Sequence, residues 1–364
     1  MKVNHTYGLR RAAAGTHLSR SGGLLAALFG VAAMASLSMP AVAAGAEVVN
    51  IGIPNVATDV GFFLADQEGY FKDEGIEVKF TPFPSAAGMI APLGAGQLDV
   101  GGGAISAGFF NAVDRGINIR IVADKGADTA EYEYSTIVIR KDLVDSGKYK
   151  SLADLKGLTL AASAQGANSE SQINQVLQQA GLKYEDVKVV YLSYPEMYAA
   201  LKNKAIDGGV SNEPTLSSMV KDGVAVRASD KSLFPGYQTA VVFFSQSFAE
   251  KRKDVAQKFM RAYIRAVRDY NDGLQNGKFV GPKGDAVIAA LTKYTAVKDP
   301  DIYRNMTPFV VNPNGTVNPK SLDTDLAFFK ERKLVPDRVQ LAPYLDTSFV
   351  DWAVSDLGAY KKAP

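Results

Sequence analysis

The chain has 364 residues, with 40 Lys+Arg against 38 Asp+Glu for a formal net charge of +2, and it contains no cysteine. This balance excludes a typical polyanion-binding domain, which would be strongly basic, and the missing cysteine excludes disulfides and thiol chemistry. A chain of this length can build one or two domains around an ordinary hydrophobic core.

The first 43 residues have the pattern of a secretory signal peptide. A basic segment without acidic residues precedes the apolar run Leu24–Met39, and Ala41–Ala43 then offers small residues to a signal peptidase. An uncleaved membrane anchor is the alternative, but the run is short for a membrane span. An arginine pair at 10–11 is a weak signal for twin-arginine export. We expect residues 1–43 to be removed and the mature protein to lie in the periplasm.

Both histidines, His5 and His17, lie in this leader. The mature chain would therefore contain neither His nor Cys, and its charge balance would be slightly acidic. Ser-His-Asp and Cys-His sites cannot be built without these residues, and the usual zinc sites are excluded as well. We expect no metal and no cofactor.

The first part of the mature chain alternates between strands and helices. Glycines at positions 69 and 75 suit a helix end and a turn. The predicted elements are the strand Val48–Pro54, a helix to Glu68 with Thr58 or Asp59 as its cap, the strand Ile76–Phe80, a helix within Ser85–Leu98, a strand from Asp99, and the strand Asn118–Asp124.

The middle of the chain repeats this plan before long helices begin near Phe248. The predicted elements are the strands Ser135–Arg140 and Leu158–Ala164, the helix Asn168–Gly181, the strand Val187–Ser193, the helix Pro195–Ala205 and the strand Ile206–Ser211. The β-α-β order predicts an α/β protein with a mostly parallel sheet and helices on both faces.

Two segments echo each other and favour two similar lobes. Ser85–Gly101 and Ser193–Gly209 align without a gap, and the matches include Met89 with Met197 and Asp99 with Asp207. Ordinary helix-turn-strand chemistry is the alternative explanation of this short similarity.

Three motifs carry a resemblance to a known family. They are "GFFLADQEGYFKDEGIEVKF" (Gly61–Phe80), "APLGAGQLDVG" (Ala91–Gly101) and "SLADLKGLTLAAS" (Ser151–Ser163). Together they resemble periplasmic substrate-binding proteins of ABC importers, of the nitrate/sulfonate/taurine class, to which pyrimidine-precursor binders are related. The resemblance covers roughly Val48–Leu274.

The resemblance implies a two-lobed periplasmic binding protein fold of type II, with two chain crossovers between the lobes. Residues 44–128 and 238–364 would form a discontinuous lobe one, and residues 129–237 would form lobe two. A ligand would bind between them.

Helix N-termini that follow strands are the first candidates for ligand contact. Their unpaired N–H groups and positive dipole ends suit anionic groups, although plain helix capping is the alternative. The candidate residues are Thr58 and Asp59, Ser85 and Ala86, and Gln165, Gly166, Ala167, Asn168 and Ser169.

A glycine-rich loop and the lobe crossovers give further candidates. Gly102, Gly103 and Ser106 resemble the family's small-residue loop that faces the ligand, with tight packing as the alternative. The segment around Ser106 also loosely matches a nucleophile elbow, but the mature chain has no histidine to activate it. Glu213 follows a lobe-two strand, and Tyr237 lies at the return crossover, where hinge packing is the alternative. Glu131–Ser135 lies at the first crossover with the same two interpretations.

The sequence thus predicts a monomeric periplasmic receptor that captures a small organic anion or zwitterion, similar to a sulfonate, taurine or nitrate. It would deliver this solute to an inner-membrane ABC permease, and no nucleic-acid partner is expected. A receptor for a pyrimidine precursor or an aromatic acid is the alternative in the same fold. The competing class is an exported enzyme that relies on carboxylates such as Asp59 and Glu213.

Overall fold

A computed structural model describes residues 45–362, which belong to one compact unit. The predicted signal peptide and its cleavage site lie outside these residues.

The described chain alternates between strands and helices through its first two thirds and is mainly helical after residue 245. The strands are β1 Glu47–Ile53, β2 Ile76–Pro82, β3 Val100–Gly103, β4 Ile119–Ala127, β5 Ser135–Arg140, β6 Thr159–Ala162, β7 Lys188–Tyr191, β8 Gly208–Asn212, β9 Ala225–Arg227, β10 Gln238–Ser245, β11 Leu274–Gln275 and β12 Lys278–Phe279. The helices are α1 Val60–Gln67, α2 Tyr70–Asp73, α3 Ile90–Gly94, α4 Ala107–Asp114, α5 Lys141–Asp145, α6 Asn168–Gln179, α7 Tyr194–Lys202, α8 Thr215–Lys221, α9 Lys253–Gly273, α10 Gly281–Tyr294, α11 Pro300–Asn305, α12 Pro319–Glu331 and α13 Ser348–Leu357.

Two five-stranded sheets organise the fold. The first has the strand order β2-β1-β3-β10-β4, and the second has the order β7-β6-β8-β5-β9. The chain passes from the first sheet to the second between β4 and β5, and it returns between β9 and β10. This is the α/β, two-lobed arrangement with two crossovers that the sequence predicts.

The prediction of a mostly parallel sheet is confirmed, since four of the five strands in each sheet run in the same direction, and one antiparallel strand makes each sheet mixed. Strand β10 runs antiparallel to β3 and β4, and β5 runs antiparallel to β8 and β9. These two strands are the ones that follow the crossovers. A strand that enters its sheet from the other sheet, and not through a helical β-α-β connection, is not constrained to run parallel to its neighbours.

The segment before α1 differs slightly from its predicted form. A 3-10 turn at Ala57–Asp59 precedes α1, and the Asp59 carboxylate accepts a hydrogen bond of 2.9 Å from the Val56 N–H group. After α1, Gly69 and Gly75 have φ angles of +77° and +71°, which glycine adopts without the strain of a Cβ atom. These two residues turn the chain from α1 back into β2, as their positions in the sequence predict.

The long helix α9 packs against α1 and α13 and buries the face of the first sheet. Phe62 lies between Phe259 and Tyr263, with ring centroids 6.0 and 5.2 Å away, and all three side chains are buried. This packing fixes α1, and hence the 3-10 turn that precedes it, at the end of β1. Within the described part of the chain, every helix is too short or too polar to cross a membrane.

Candidate functional site

A small enclosed cavity of about 40 Å³ lies where the loops of the two sheets meet. Its described lining contains no charged side chain. The lining residues are Pro54, Val56, Thr58, Ser85, Ala86, Ala87, Gly103, Ala104, Ile105, Ser106, Tyr134, Ser135, Ser163, Ala167, Asn168, Tyr194, Asn212, Thr239 and Ala240. This volume suits a small solute and is well below the 300–1,000 Å³ of pockets for drug-sized ligands.

Several helix starts converge on this cavity. The 3-10 turns at Ala57–Asp59 and Ala86–Met89 begin beside it, as do α4 and α6. At the start of α4, the Ser106 hydroxyl accepts a hydrogen bond of 3.2 Å from the Phe109 N–H group. The first N–H groups of a helix have no partner inside the helix, and each terminus favours a nearby anion by about 0.3–1 kcal/mol. The cavity wall therefore carries positive potential without any cationic side chain.

Backbone contacts between segments of the two sheets close the cavity. The Ala107 N–H group at the start of α4 donates to the Gly166 carbonyl oxygen over 2.8 Å, and Ser106 and Ala167 form an isolated antiparallel bridge. On another side, the Ala57 N–H group donates to the Glu213 carbonyl oxygen over 3.3 Å. We call the contact of residues 106–107 with residues 166–167 the mouth contact.

Half of the predicted ligand residues line this cavity. The residues that do so are Thr58, Ser85, Ala86, Gly103, Ser106, Ala167 and Asn168. The predicted residues that do not are Asp59, Gly102, Gln165, Gly166, Ser169, Glu213 and Tyr237.

Asp59 points behind the cavity wall into a buried ion pair. Its Oδ1 atom lies 2.7 Å from Lys125 Nζ, and both side chains have no solvent exposure. Lys125 also donates a hydrogen bond of 2.9 Å to the Thr58 hydroxyl, which faces the cavity. Burial raises the pKa of Asp59 and lowers the pKa of Lys125, and the attraction between the two charges opposes both changes. Gly102 leaves room for this pair, since a Cβ atom there would lie 2.6 Å from Lys125 Cε.

Glu213 is also buried behind the wall. Its carboxylate lies 3.4 Å from Arg227 Nη2 and accepts hydrogen bonds from the backbone N–H groups of Ser217 (3.0 Å) and Thr307 (3.4 Å). Burial raises the pKa of Glu213, and the charge of Arg227 opposes this rise. The side chain thus ties the end of β8 to the segment before β10 and to the C-terminal part of the chain.

Tyr237, Ser169 and Gly166 make contacts within the surrounding structure, and Gln165 is exposed. Tyr237 donates to both carboxylate oxygens of Asp325 on α12, at 2.9 and 2.8 Å, which fits the hinge-packing alternative. Burial raises the pKa of Asp325 to about 7. Ser169 accepts a hydrogen bond from the Ser163 N–H group, and the Gly166 N–H group donates to the Glu170 carboxylate.

The cavity is also lined by residues that the sequence does not single out. Tyr134, just before β5, has a buried hydroxyl that makes no hydrogen bond within the described residues. Asn212, at the end of β8, donates through Nδ2 to the Tyr194 hydroxyl over 2.8 Å. The sequence identified Glu131–Ser135 as a crossover segment that could contact a ligand, but it does not show which side chain of this segment faces the cavity. No cluster of potential metal ligands occurs among residues 45–362.

Two lobes around an enclosed, uncharged cavity define the fold of a periplasmic binding protein. The chain belongs to the family described as "NMT1/THI5 like", whose model matches residues 57–272.

Curated relatives agree with this assignment. A protein of Brachyspira hyodysenteriae, named as an ABC transporter periplasmic binding protein, is 29% identical over 202 residues, which is 53% of this chain and 56% of that relative. The match thus spans just over half of the relative's length. The taurine-binding periplasmic protein of Escherichia coli is 24% identical over 302 residues, covering 80% of this chain and 89% of the relative.

Solved structures share the fold at lower sequence identity. The alkanesulfonate-binding protein from Xanthomonas axonopodis pv. citri, bound to MOPS, is 20% identical with a TM-score of 0.66, covering 84% of this chain and 99% of that one. The desulfurization enzyme DSZB is 15% identical with a TM-score of 0.57, covering 85% of this chain and all of that one. Both binding proteins and an enzyme therefore share this fold.

Proposed function

We propose that this protein is the periplasmic solute-binding component of an ABC importer. It captures a small organic anion or zwitterion, of the sulfonate, taurine or nitrate type, and delivers it to an inner-membrane permease. The observation that carries this proposal is the enclosed cavity at the junction of the two sheets, where several helix N-termini converge. The names of the relatives, one of them taurine-binding, support this class of solute.

The mechanism is closure of two lobes around the solute. We assign residues 44–128 and 238–364 to lobe one and residues 129–237 to lobe two, because β1–β4 and β10 form the first sheet and β5–β9 form the second. The cavity takes side chains from both lobes, so a solute contacts the complete site only when the lobes are closed. Binding then shifts the population towards the closed form, which the permease would recognise.

The helix N-termini would hold an anionic group. Lys125, the cation directly behind the Thr58 wall, is paired with Asp59 and therefore offers little net charge to the cavity. Helix dipoles and backbone N–H groups supply the remaining attraction, and the N–H groups can donate to a sulfonate or nitrate oxygen without a charged side chain.

We infer that the protein acts by binding and not by turnover. A carboxylate enzyme would need two acids facing one substrate, but Asp59 and Glu213 both lie behind the wall in contact with Lys125 and Arg227. The fold alone does not separate the two classes, because DSZB shares it. We also propose that the protein is exported with cleavage near Ala43, that it lies in the periplasm and that it is a monomer.

A thermal-shift screen tests this proposal. The purified protein would be heated with taurine, alkanesulfonates, nitrate, bicarbonate, aminopyrimidines and aromatic acids. A solute at a thousand times its dissociation constant adds about 4 kcal/mol of stability, which corresponds to several degrees of melting temperature. We expect stabilisation by a sulfonate, taurine or nitrate. Stabilisation by none of these three would contradict the proposed solute class.

A further inference from the structure

Tyr134 carries a buried hydroxyl that has no hydrogen-bond partner among residues 45–362. Its side chain is 1% exposed and lines the cavity, and its ring packs against Phe309 with centroids 5.5 Å apart. The Thr58 side chain is a polar neighbour, but the two form no hydrogen bond of acceptable geometry. Burial raises the pKa of this phenol well above its usual value and keeps it protonated. An unpaired buried hydroxyl is unfavourable, so we expect a molecule bound in the cavity to supply the missing hydrogen bond.

Asn212 presents a second incomplete group beside it. Ser135 and Asn212 are paired in the register of β5 and β8, so the end of β8 lies next to Tyr134. The Asn212 Nδ2 atom donates to the Tyr194 hydroxyl over 2.8 Å, which orients the carboxamide. The Oδ1 atom is buried and accepts no hydrogen bond from the described part of the chain. The wall formed by lobe two therefore offers a hydroxyl and an amide oxygen to the same small space.

Both cations behind the cavity wall are already paired with acids, and Arg227 also lies 3.6 Å from the buried Glu133. Asp59 is 2.7 Å from Lys125 and Glu213 is 3.4 Å from Arg227, and none of these four side chains lines the cavity. A buried ion without a counter-charge is strongly disfavoured. A solute with no net charge avoids this penalty, and an anionic end on such a solute can still use the helix N-termini of the opposite wall.

We propose that Tyr134 and Asn212 determine specificity for a solute without net charge, which donates an N–H group to Asn212 Oδ1 and accepts a hydrogen bond from the Tyr134 hydroxyl. This inference rests on the proposed solute-binding function and specifies the net charge of the solute. A zwitterion such as taurine and a neutral aminopyrimidine share the required chemistry, and a simple anion such as nitrate or an alkanesulfonate does not.

Calorimetric titration with taurine, 4-aminopyrimidine and ethanesulfonate tests the solute class. Ethanesulfonate keeps the sulfonate of taurine and lacks its amine. We expect taurine or 4-aminopyrimidine to bind at least about tenfold more tightly than ethanesulfonate, since a site built for a hydrogen bond rejects a ligand that cannot make it. Tightest binding by ethanesulfonate would overturn this inference and leave the receptor function standing. Binding of none of the three would remove the inference together with the proposed solute class.

Two tyrosine variants test the role of Tyr134 itself. Tyr149 is the matched control, because its buried hydroxyl donates to the Ala228 carbonyl oxygen over 2.8 Å and lies away from the cavity. We expect Tyr134→Phe to weaken binding of the tighter net-neutral probe about tenfold without lowering the melting temperature of the solute-free protein. Tyr149→Phe should lower the melting temperature and leave the affinity unchanged. A Tyr134→Phe variant that melts as low as Tyr149→Phe and binds as tightly as the unmodified protein would overturn the assignment.

Discussion

Lys125 and Asp59 form a buried ion pair that fixes the position of a loop lining the cavity. Lys125 Nζ contacts Asp59 Oδ1 at 2.7 Å and Thr58 Oγ1 at 2.9 Å, so one ammonium group joins β4 to the turn before α1. Asp59 in turn accepts from the Val56 N–H group, which fixes the loop that lines the cavity. The pair therefore positions Thr58 and Val56, and its removal should mainly lower the stability of the folded protein.

Lys125→Met should destabilise the protein by about 3–5 kcal/mol, because Asp59 would remain as a buried charge without a partner. Urea unfolding measures this loss. The double variant with Asp59→Asn should recover part of it. Lys188→Met, at an exposed position on β7, is the control and should change stability by less than about 0.5 kcal/mol. Equal unfolding midpoints for Lys125→Met and the unmodified protein would show that the pair contributes nothing.

At the scale of elements, the sequence predicted where the helices near the cavity begin. It did not predict that the carboxylates of Asp59 and Glu213 point away from the cavity into ion pairs. Small polar residues after a strand identify a helix N-terminus locally, and the segments at 58, 85 and 168 all reach the cavity. The direction of a buried carboxylate depends on partners far along the chain, such as Lys125 for Asp59 and Thr307 for Glu213. The directions of β5 and β10, the strands that follow the crossovers, also depend on neighbouring strands far along the chain and could not be predicted from local sequence.

The mouth contact depends on Gly166 at the start of α6. This residue has a φ of +68°, and a Cβ atom there would lie only 3.0 Å from the Ala107 Cβ atom. Gly181, just after the same helix, has a φ of +70° and open space around it. The two glycines therefore carry the same backbone requirement, and only Gly166 faces the other lobe.

Gly166→Ala should open the mouth contact, and Gly181→Ala should not. Both variants should lose about 1–2 kcal/mol of stability from the left-handed backbone. Spin labels at Arg115→Cys, exposed directly after α4, and at Gln178→Cys, exposed on α6, can report the separation of the lobes, since the chain has no native cysteine. We expect a longer label distance in solute-free Gly166→Ala only. Identical distance distributions in the two glycine variants would show that the contact does not hold the lobes together.

At the scale of the whole molecule, buried carboxyl groups make stability depend on pH. Burial raises the pKa of Asp124 to about 6 and that of Asp325 to about 7, against a usual value of 3.8. A raised pKa means that the folded state holds its proton more tightly than the unfolded state. Stability is therefore full below pH 4 for these two groups and is lost as pH rises through 6 and 7.

Asp325→Asn should reduce the loss of unfolding free energy that occurs as pH rises. Each such carboxyl removes about 1.4 kcal/mol per pH unit between its unfolded and folded pKa values, and asparagine does not titrate. The amide oxygen can still accept the hydrogen bond of Tyr237. Unfolding free energies at pH 5, 6 and 7 should fall less steeply for Asp325→Asn than for the unmodified protein. Asp323→Asn, at an exposed site on the same helix, should keep the original slope, and equal slopes for all three proteins would contradict the prediction.

The central claim is that one small solute binds in the cavity between the lobes. Ala104 lines that cavity and is partly exposed, so Ala104→Phe should fill the space without disrupting a core, and Ala95→Phe at an exposed site is its control.

Calorimetric titration of the three proteins with taurine, ethanesulfonate and nitrate is the most direct measurement. We predict that at least one solute binds once per chain to the unmodified protein and to Ala95→Phe, and that Ala104→Phe binds none. Equal binding by Ala104→Phe, or no binding by the unmodified protein, would contradict the account.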